Sequence, residues 1–497
     1  MRALISLVAL SVAAIAETPP EAARKWRESH ERPIVDEYVQ LLSIPNVARD
    51  RANIARNAQF IQRMYERRGV HTRLLESPDA PPAVYGEILT PGAAQTLMFY
   101  AHYDGQPVEP KEWFNNDPFK PTLLDKALDA GGKPIPLPAR FDPESRLYAR
   151  SAGDDKAPIL ALAAALDALK AAGLPLKSNV KFFFEGEEEA GSPHLDTLIR
   201  QHRDLLKADL WLFCDGPIHQ TRRQTVVFGV RGSTGFNLTV YGPKRELHSG
   251  HYGNWAPNPA MMLARLLASM KDDDGRVLID HFNDGIAPLG EIEKQALAEI
   301  PKQDEALRRE LWLARSEGGE ALEGLLNYPS LNIRGLAAAG VGAQSRNVIP
   351  TQATASLDIR LVKGIDHKIA VDRVRAHIRK QGYFVTDREP DEDTRLTHPK
   401  IAKMTVSDGY NALRTPMDTP IARKVIAAVE SARGKVIRMP TMGGSLPLSI
   451  FDDILKTPVI IIPIANHDNN QHGHNENMRI RNLWDGIETM AALLMME

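Results

Sequence analysis

Along the first half of the chain, apolar β-rich runs alternate with stretches of helical periodicity. TLMFYAHYD (96–104), NVKFFFEG (179–186) and ADLWLFCD (208–215) read as buried strands, and APILALAAALDALKAAG (157–173) and SPHLDTLIRQHRDLL (192–206) as helices. Such alternation predicts an α/β fold with a mostly parallel central sheet, because parallel strands need a crossover between them. From GVRGSTGFNLTVYG through ATASLDIRLV and DHKIAVDRVRAHIRKQG to YFVTD the order becomes strand, helix, strand, strand, helix, strand, with a charged helical insert at about 286–325. That change predicts a smaller α+β domain over 229–410, inserted into a larger one made of 17–228 and 411–497. The larger domain closes with the strand VIIIPIA (459–465) and the helix NLWDGIETMAALLMME (482–497). The Gly/Pro-rich segment 129–143 reads as a surface loop.

At 497 residues the chain is too long for one compact core, in keeping with this division. A net charge of −2 gives no footprint for nucleic acid or an anionic membrane, so a small-molecule partner is expected. Residues 1–16, MRALISLVALSVAAIA, combine an early Arg2, an apolar run and an Ala14-Ile15-Ala16 ending that fits a signal-peptide cleavage site. The run is shorter than the roughly 20 residues that span a bilayer, so a secreted or periplasmic protein is expected rather than an anchored one. No cysteine stands directly after the cleavage point, and the single Cys214 rules out an internal disulfide.

Acidic and histidine residues stand at or beyond the ends of the predicted strands, where α/β sheets bind ligands. His102 and Asp104 lie two apart and share one side of a strand, so Asp104 can hold one imidazole nitrogen and aim the other at a metal. Asp154 and Asp155 occupy the turn before a helix, and alone they would pass for an N-cap. Glu187, Glu188 and Glu189 follow an aromatic strand, Asp215 follows LWLFC, and NHDNNQHGHNEN (466–477) follows the last strand. Uncompensated buried carboxylates are too costly to keep ionised, so this convergence points to a bound cation with proton chemistry beside it. Which glutamate does which is open at this level. No serine or cysteine with a paired base is visible as a rival nucleophile, and Cys214 sits in an apolar strand.

The order AHYD, SAGDDK, EGEEEAGS, FCD, ELHSGHYG and NQHGHNE resembles the two-zinc metallopeptidase family of carnosinases, non-specific dipeptidases, aminoacylases, succinyl-diaminopimelate desuccinylase and glutamate carboxypeptidase. The likeness runs over nearly all of the chain after residue 16. It implies two divalent ions, zinc or else cobalt or manganese, with His102 and Asp215 on one, Glu189 and His472 on the other, and Asp154 bridging them. It also implies a cis Asp154–Asp155 bond, Asp104 orienting His102, Glu188 as general base toward a metal-bridged water, and Glu187 as a solvated bystander. His467 and His474 are rival ligands to His472. The inserted domain becomes a lid and dimerisation unit, and His248 of a homodimer reaches the partner's site. Arg360 grips a substrate carboxylate, with Asn347, Gly444 and Ser445 completing the hold.

Departures from the family pattern bear on specificity. Ala149, Ser151 and Ala157 replace glycines around the bridging aspartate, which predicts a shifted loop with its ligands retained. The 129–143 loop resembles an insertion near the site entrance, and Met442 stands where carnosinase-like relatives carry a glutamate. The implied activity is hydrolysis of an amide bond in dipeptides or small peptides with a free carboxylate. An N-acyl-amino-acid amidohydrolase is the alternative, and a non-catalytic solute-binding protein on the same scaffold is the alternative from another class.

Overall fold

The computed structural model describes residues 17–446 and 448–497; segment 1–16, on which the signal-peptide expectation falls, lies outside them. An eight-stranded sheet runs in the order His71–Leu75, Ala83–Ile88, Asn179–Glu185, Thr96–His102, Leu210–Phe213, Val459–Ile461, Thr225–Val227 and Ile437–Met439. Its four central strands, from Asn179–Glu185 to Val459–Ile461, are mutually parallel, and antiparallel pairing is confined to the flanks. Their carboxyl ends therefore face the same way.

Helix Lys156–Ala171 is buried around almost its whole circumference. Its alanine and leucine surface packs on the sheet and on helices Pro19–Leu42 and Ile480–Leu494 in one apolar cluster. The opposite face of the sheet is aromatic, with Tyr100 stacked on Phe213 at 4.0 Å and Phe451 against Trp211 at 4.7 Å. The predicted helix at 192–206 is shorter, Leu195–Gln201, and the chain beyond it continues as turns.

The 129–143 loop, expected near the site entrance, is anchored instead on the outer helices. The Phe141 N–H donates to Glu31 at 2.8 Å, Arg32 donates to the Leu137 carbonyl at 2.9 Å, and the Phe141 ring meets Trp484 edge-on. Ile135, Leu137 and Phe141 account for this placement, since all three pack on the main apolar cluster.

A second sheet, in the order Ser330–Ala337, Gln352–Leu361, Gly232–Tyr241, Ile401–Val406 and Phe384–Thr386, draws every strand from residues 232–406. Strand Ile401–Val406 is an addition to the pattern read from sequence. Helices Pro259–Ala268 and His367–Lys380 cover the face bearing Phe236, Leu238, Leu357 and Ile359. Alternation puts Ser233, Asp358 and Arg360 on the other face, away from the helices. The charged insert forms three short helices, Glu291–Ala298, Asp304–Glu310 and Leu322–Leu325. No described helix is long and apolar enough to cross a membrane.

Candidate active site

The parallel strands deliver their acidic and histidine residues to one crevice. His102 ends its strand, Asp215 lies two residues beyond Phe213, the glutamates follow Glu185, and His472 hangs from the loop after Val459–Ile461. Asp154 enters from the turn before the buried helix, through a cis bond to Asp155. Two three-residue groups result, each with its ligand atoms within 4.8 Å of one another: His102, Asp154 and Asp215, and Asp154, Glu189 and His472. Asp154 belongs to both. One of its oxygens is 2.9 Å from His102 Nε2, and the other is 3.3 Å from His472 Nε2. His467 and His474 stand apart, near Asp468 and Glu112.

The three glutamates have separate fates. Glu189 lies 3.4 Å from His472 Nε2. Glu188 faces the other group, with its carboxylate 3.9 Å from His102 Nε2. Glu187 is not the solvated bystander that was expected: it is buried, and it accepts hydrogen bonds from the backbone N–H and the ring of His194, each at 3.0 Å. A histidine one turn downstream gives that carboxylate a local partner and fixes the loop.

Asp104 is fully buried and does more than face His102 Nδ1 at 3.4 Å. Its two oxygens accept the backbone N–H groups of Glu188 and Glu189, each at 3.0 Å. One carboxylate thus registers the imidazole and both glutamates. Asp155 accepts the His102 N–H at 3.2 Å.

Glu476, which sequence reasoning quoted in a motif but left without a role, organises the bridging turn. Fully buried, it accepts from Gly153 N and Asp154 N at 2.9 Å, and from Ser151 N and Arg150 Nη1 at 2.8 Å. Such saturation ties the His472 loop to the Asp154 turn. Ser151, in place of a glycine, has a left-handed φ of 60°, and Asn46 donates to its hydroxyl at 2.8 Å. Asp154 still joins both three-residue groups. Glu476→Gln puts an NH₂ where an acceptor is required, so affinity for both ions should fall together by roughly 10–100-fold. Metal titration of the purified variant checks this.

The electrostatics call for cations. Burial and the neighbouring Asp154 push Glu189 up to about 7 and Asp215 up to about 6, and burial pushes Glu188 well above its ordinary value. Against the cost of burial, Asp104 and Asp154 hold His102 well above its ordinary value, and the bond to Asp154 takes His472 up to about 9. Oxygen and nitrogen donors crowded in this way fit divalent metal ions, two of them sharing Asp154.

Residues 98–496 match the model of peptidase family M20/M25/M40. The chain belongs to this peptidase family. Among M20 relatives, it is 28% identical to a Cys-Gly metallodipeptidase of Saccharomyces cerevisiae, over 91% of this chain and 93% of that one. It is 27% identical to the human Beta-Ala-His dipeptidase, over 84% of this chain and 78% of that one. An M20 metallo-carboxypeptidase from Sulfolobus solfataricus superposes with a TM-score of 0.77 at 26% identity, covering 93% of this chain and 98% of that one.

In this M20 chain the residues expected at the substrate divide into two groups. Arg360 lies 3.3 Å from Asp358, and the Gly444 carbonyl accepts from Arg231 N at 3.2 Å. The Ser445 hydroxyl donates to Gly232 O at 3.4 Å, so Gly444 and Ser445 are drawn to the end of the second sheet that carries Arg360. His248 and Asn347 form a separate exposed ribbon, where His248 pairs with Val348 and the Asn347 carbonyl accepts from Ser249 N at 3.0 Å. Neither enters the metal groups of its own chain.

Proposed function

We propose that the chain is a two-zinc dipeptidase that hydrolyses small peptides bearing a free carboxylate. The observation that carries this is Asp154 shared by two three-ligand groups, with Glu188 beside them and belonging to neither. His102, Asp154 and Asp215 would hold one ion, and Asp154, Glu189 and His472 the other. When bound, two such ions polarise the scissile carbonyl and make a hydroxide available near neutral pH.

Glu188, held by Asp104 through its backbone N–H, takes the proton from the attacking water and returns it to the leaving amine. Arg360 receives the substrate carboxylate with its planar fork, which fixes the leaving residue against that base. His248 serves the partner's site in a homodimer as an oxyanion donor. Support for the dimer comes from strand Ser330–Ala337, an edge of the lid sheet with Ile333 and Leu336 exposed. Edges of this length and apolarity are normally paired. Export rests on residues 1–16, and N-terminal sequencing of the mature protein checks it.

The experiment compares dipeptides with their C-terminal amides. Wild type should prefer the acid, and Arg360→Ala should lower kcat/KM on the acid by roughly 10²-fold while sparing the amide. Equal wild-type rates would remove Arg360 from the site. One observation favours a second reading, an N-acyl-amino-acid amidohydrolase. The Met442 methyl lies against both Gly216 and Gly444, so an uncharged thioether stands beside the Asp215 loop where a carboxylate could hold a substrate ammonium. N-acetyl and N-carbamoyl amino acids in the same screen separate the two.

A further inference from the structure

The lid sheet carries a row of polar residues that no motif announces. Ser233 pairs with Arg360 on one side and with Tyr410 on the other, and Arg360 pairs in turn with Ser330. Directly opposed residues in antiparallel pairs project to the same face, so Arg360, Ser233 and Tyr410 line one surface. With strands about 4.8 Å apart, the Arg360 and Tyr410 backbones are about 10 Å from each other, a span their long side chains can close from both ends. Tyr410 is clamped there: its N–H donates to Ser233 O at 2.9 Å, and its carbonyl accepts from Ser233 N at 3.1 Å.

The surroundings of the phenol place it beside both ends of the reaction. Tyr410 is half-buried, and both the Glu188 carboxylate and the Arg360 guanidinium are within electrostatic reach of its phenol. Burial and the Glu188 charge push the hydroxyl up to about 12, so at neutral pH it is a donor. In a dipeptide the free carboxylate lies one residue, about 3.5 Å, from the scissile carbonyl. A phenol on the Arg360 face of the sheet, within electrostatic reach of Glu188, is placed to flank that residue.

A second guanidinium backs the row. Arg231 is buried, donates to Ser330 Oγ at 3.0 Å, and has an Nε without a partner. Arg231, Arg334 and Arg360 all face the single carboxylate of Asp358, which leaves positive charge uncompensated. That surplus suits one substrate carboxylate.

We propose that Tyr410 contacts the substrate, its hydroxyl donating to the free carboxylate beside Arg360 and its ring flanking the leaving residue, an assignment that rests on the carboxylate role of Arg360. Tyr410 thereby gauges the one-residue distance between the cleaved bond and the chain end. The test is Tyr410→Phe, which keeps the ring and the backbone clamp, assayed on a dipeptide and its C-terminal amide with metal content measured in parallel. The acid-to-amide ratio of kcat/KM should fall about tenfold, mainly through KM on the acid, with metal content unchanged. An unchanged ratio in a variant of otherwise wild-type behaviour overturns the role of Tyr410 alone. Loss of metal in the variant would make Tyr410 a structural prop and also overturn it. A wild type that does not prefer the acid overturns the Arg360 reading first, and Tyr410 with it.

Discussion

Glu188→Gln should cut turnover by about 10²–10⁴-fold while the protein still binds its metal ions. The substitution keeps the shape of the side chain and removes its capacity to accept a proton. The geometry separates this residue from its neighbour: Glu189 completes a ligand group with Asp154 and His472, whereas Glu188 belongs to neither group. Steady-state kinetics together with metal analysis check the result. A variant that loses an ion would mean that Glu188 and Glu189 have exchanged roles. Mixing this variant with His248→Ala subunits adds a second readout, because a site shared across a homodimer regains activity in mixed dimers. No recovery despite proven subunit exchange would show that each chain works alone.

Chelation should abolish turnover, and zinc, cobalt or manganese should restore it. Full activity after exhaustive metal removal would sink the mechanism. Stability supplies an independent reading. Glu189 and Asp215 are raised to about 7 and about 6, against ordinary values of 4.5 and 3.8, so the metal-free fold binds these protons more tightly than the unfolded chain does. Their contribution is present in full below about 4 and is lost as pH climbs through about 7. The chelated protein should therefore lose thermal stability over that window. In the loaded protein the cations replace the protons, and the slope should flatten. Melting curves across pH with and without chelator would show it, and parallel curves would contradict it.

The two candidate ligand groups were legible in sequence because each member stands at the end of an apolar run, where the alternation of strand and helix already directs it to one crevice. His102, Asp154, Glu189, Asp215 and His472 needed only that logic and a family resemblance. Glu187 was misread because its partner, His194, is reached only through the turn that the loop adopts. The work of Glu476 depends on contacts with residues more than 300 positions away, and spacing cannot report those. Tyr410 meets Arg360 only through the register of separate chain segments on Ser233. Strand Ile401–Val406 escaped for a similar reason: a short run following a charged stretch declares itself as a strand only once Gly232–Tyr241 pairs with it.

The four hydrogen bonds to Glu476 bear on how the enzyme fills with metal. His472 serves one ligand group and Asp154 serves both, and the segments that carry them meet at this single carboxylate. An ion that orders the His472 loop would thereby also set the turn for a second ion. The ordering entropy is spent on the first arrival, and the later one binds a site already arranged. Linkage makes this reciprocal, so the loss of either ion weakens the hold on the other. Half-filled enzyme would then be the scarce species, and the protein would move between empty and fully loaded populations as metal supply changes.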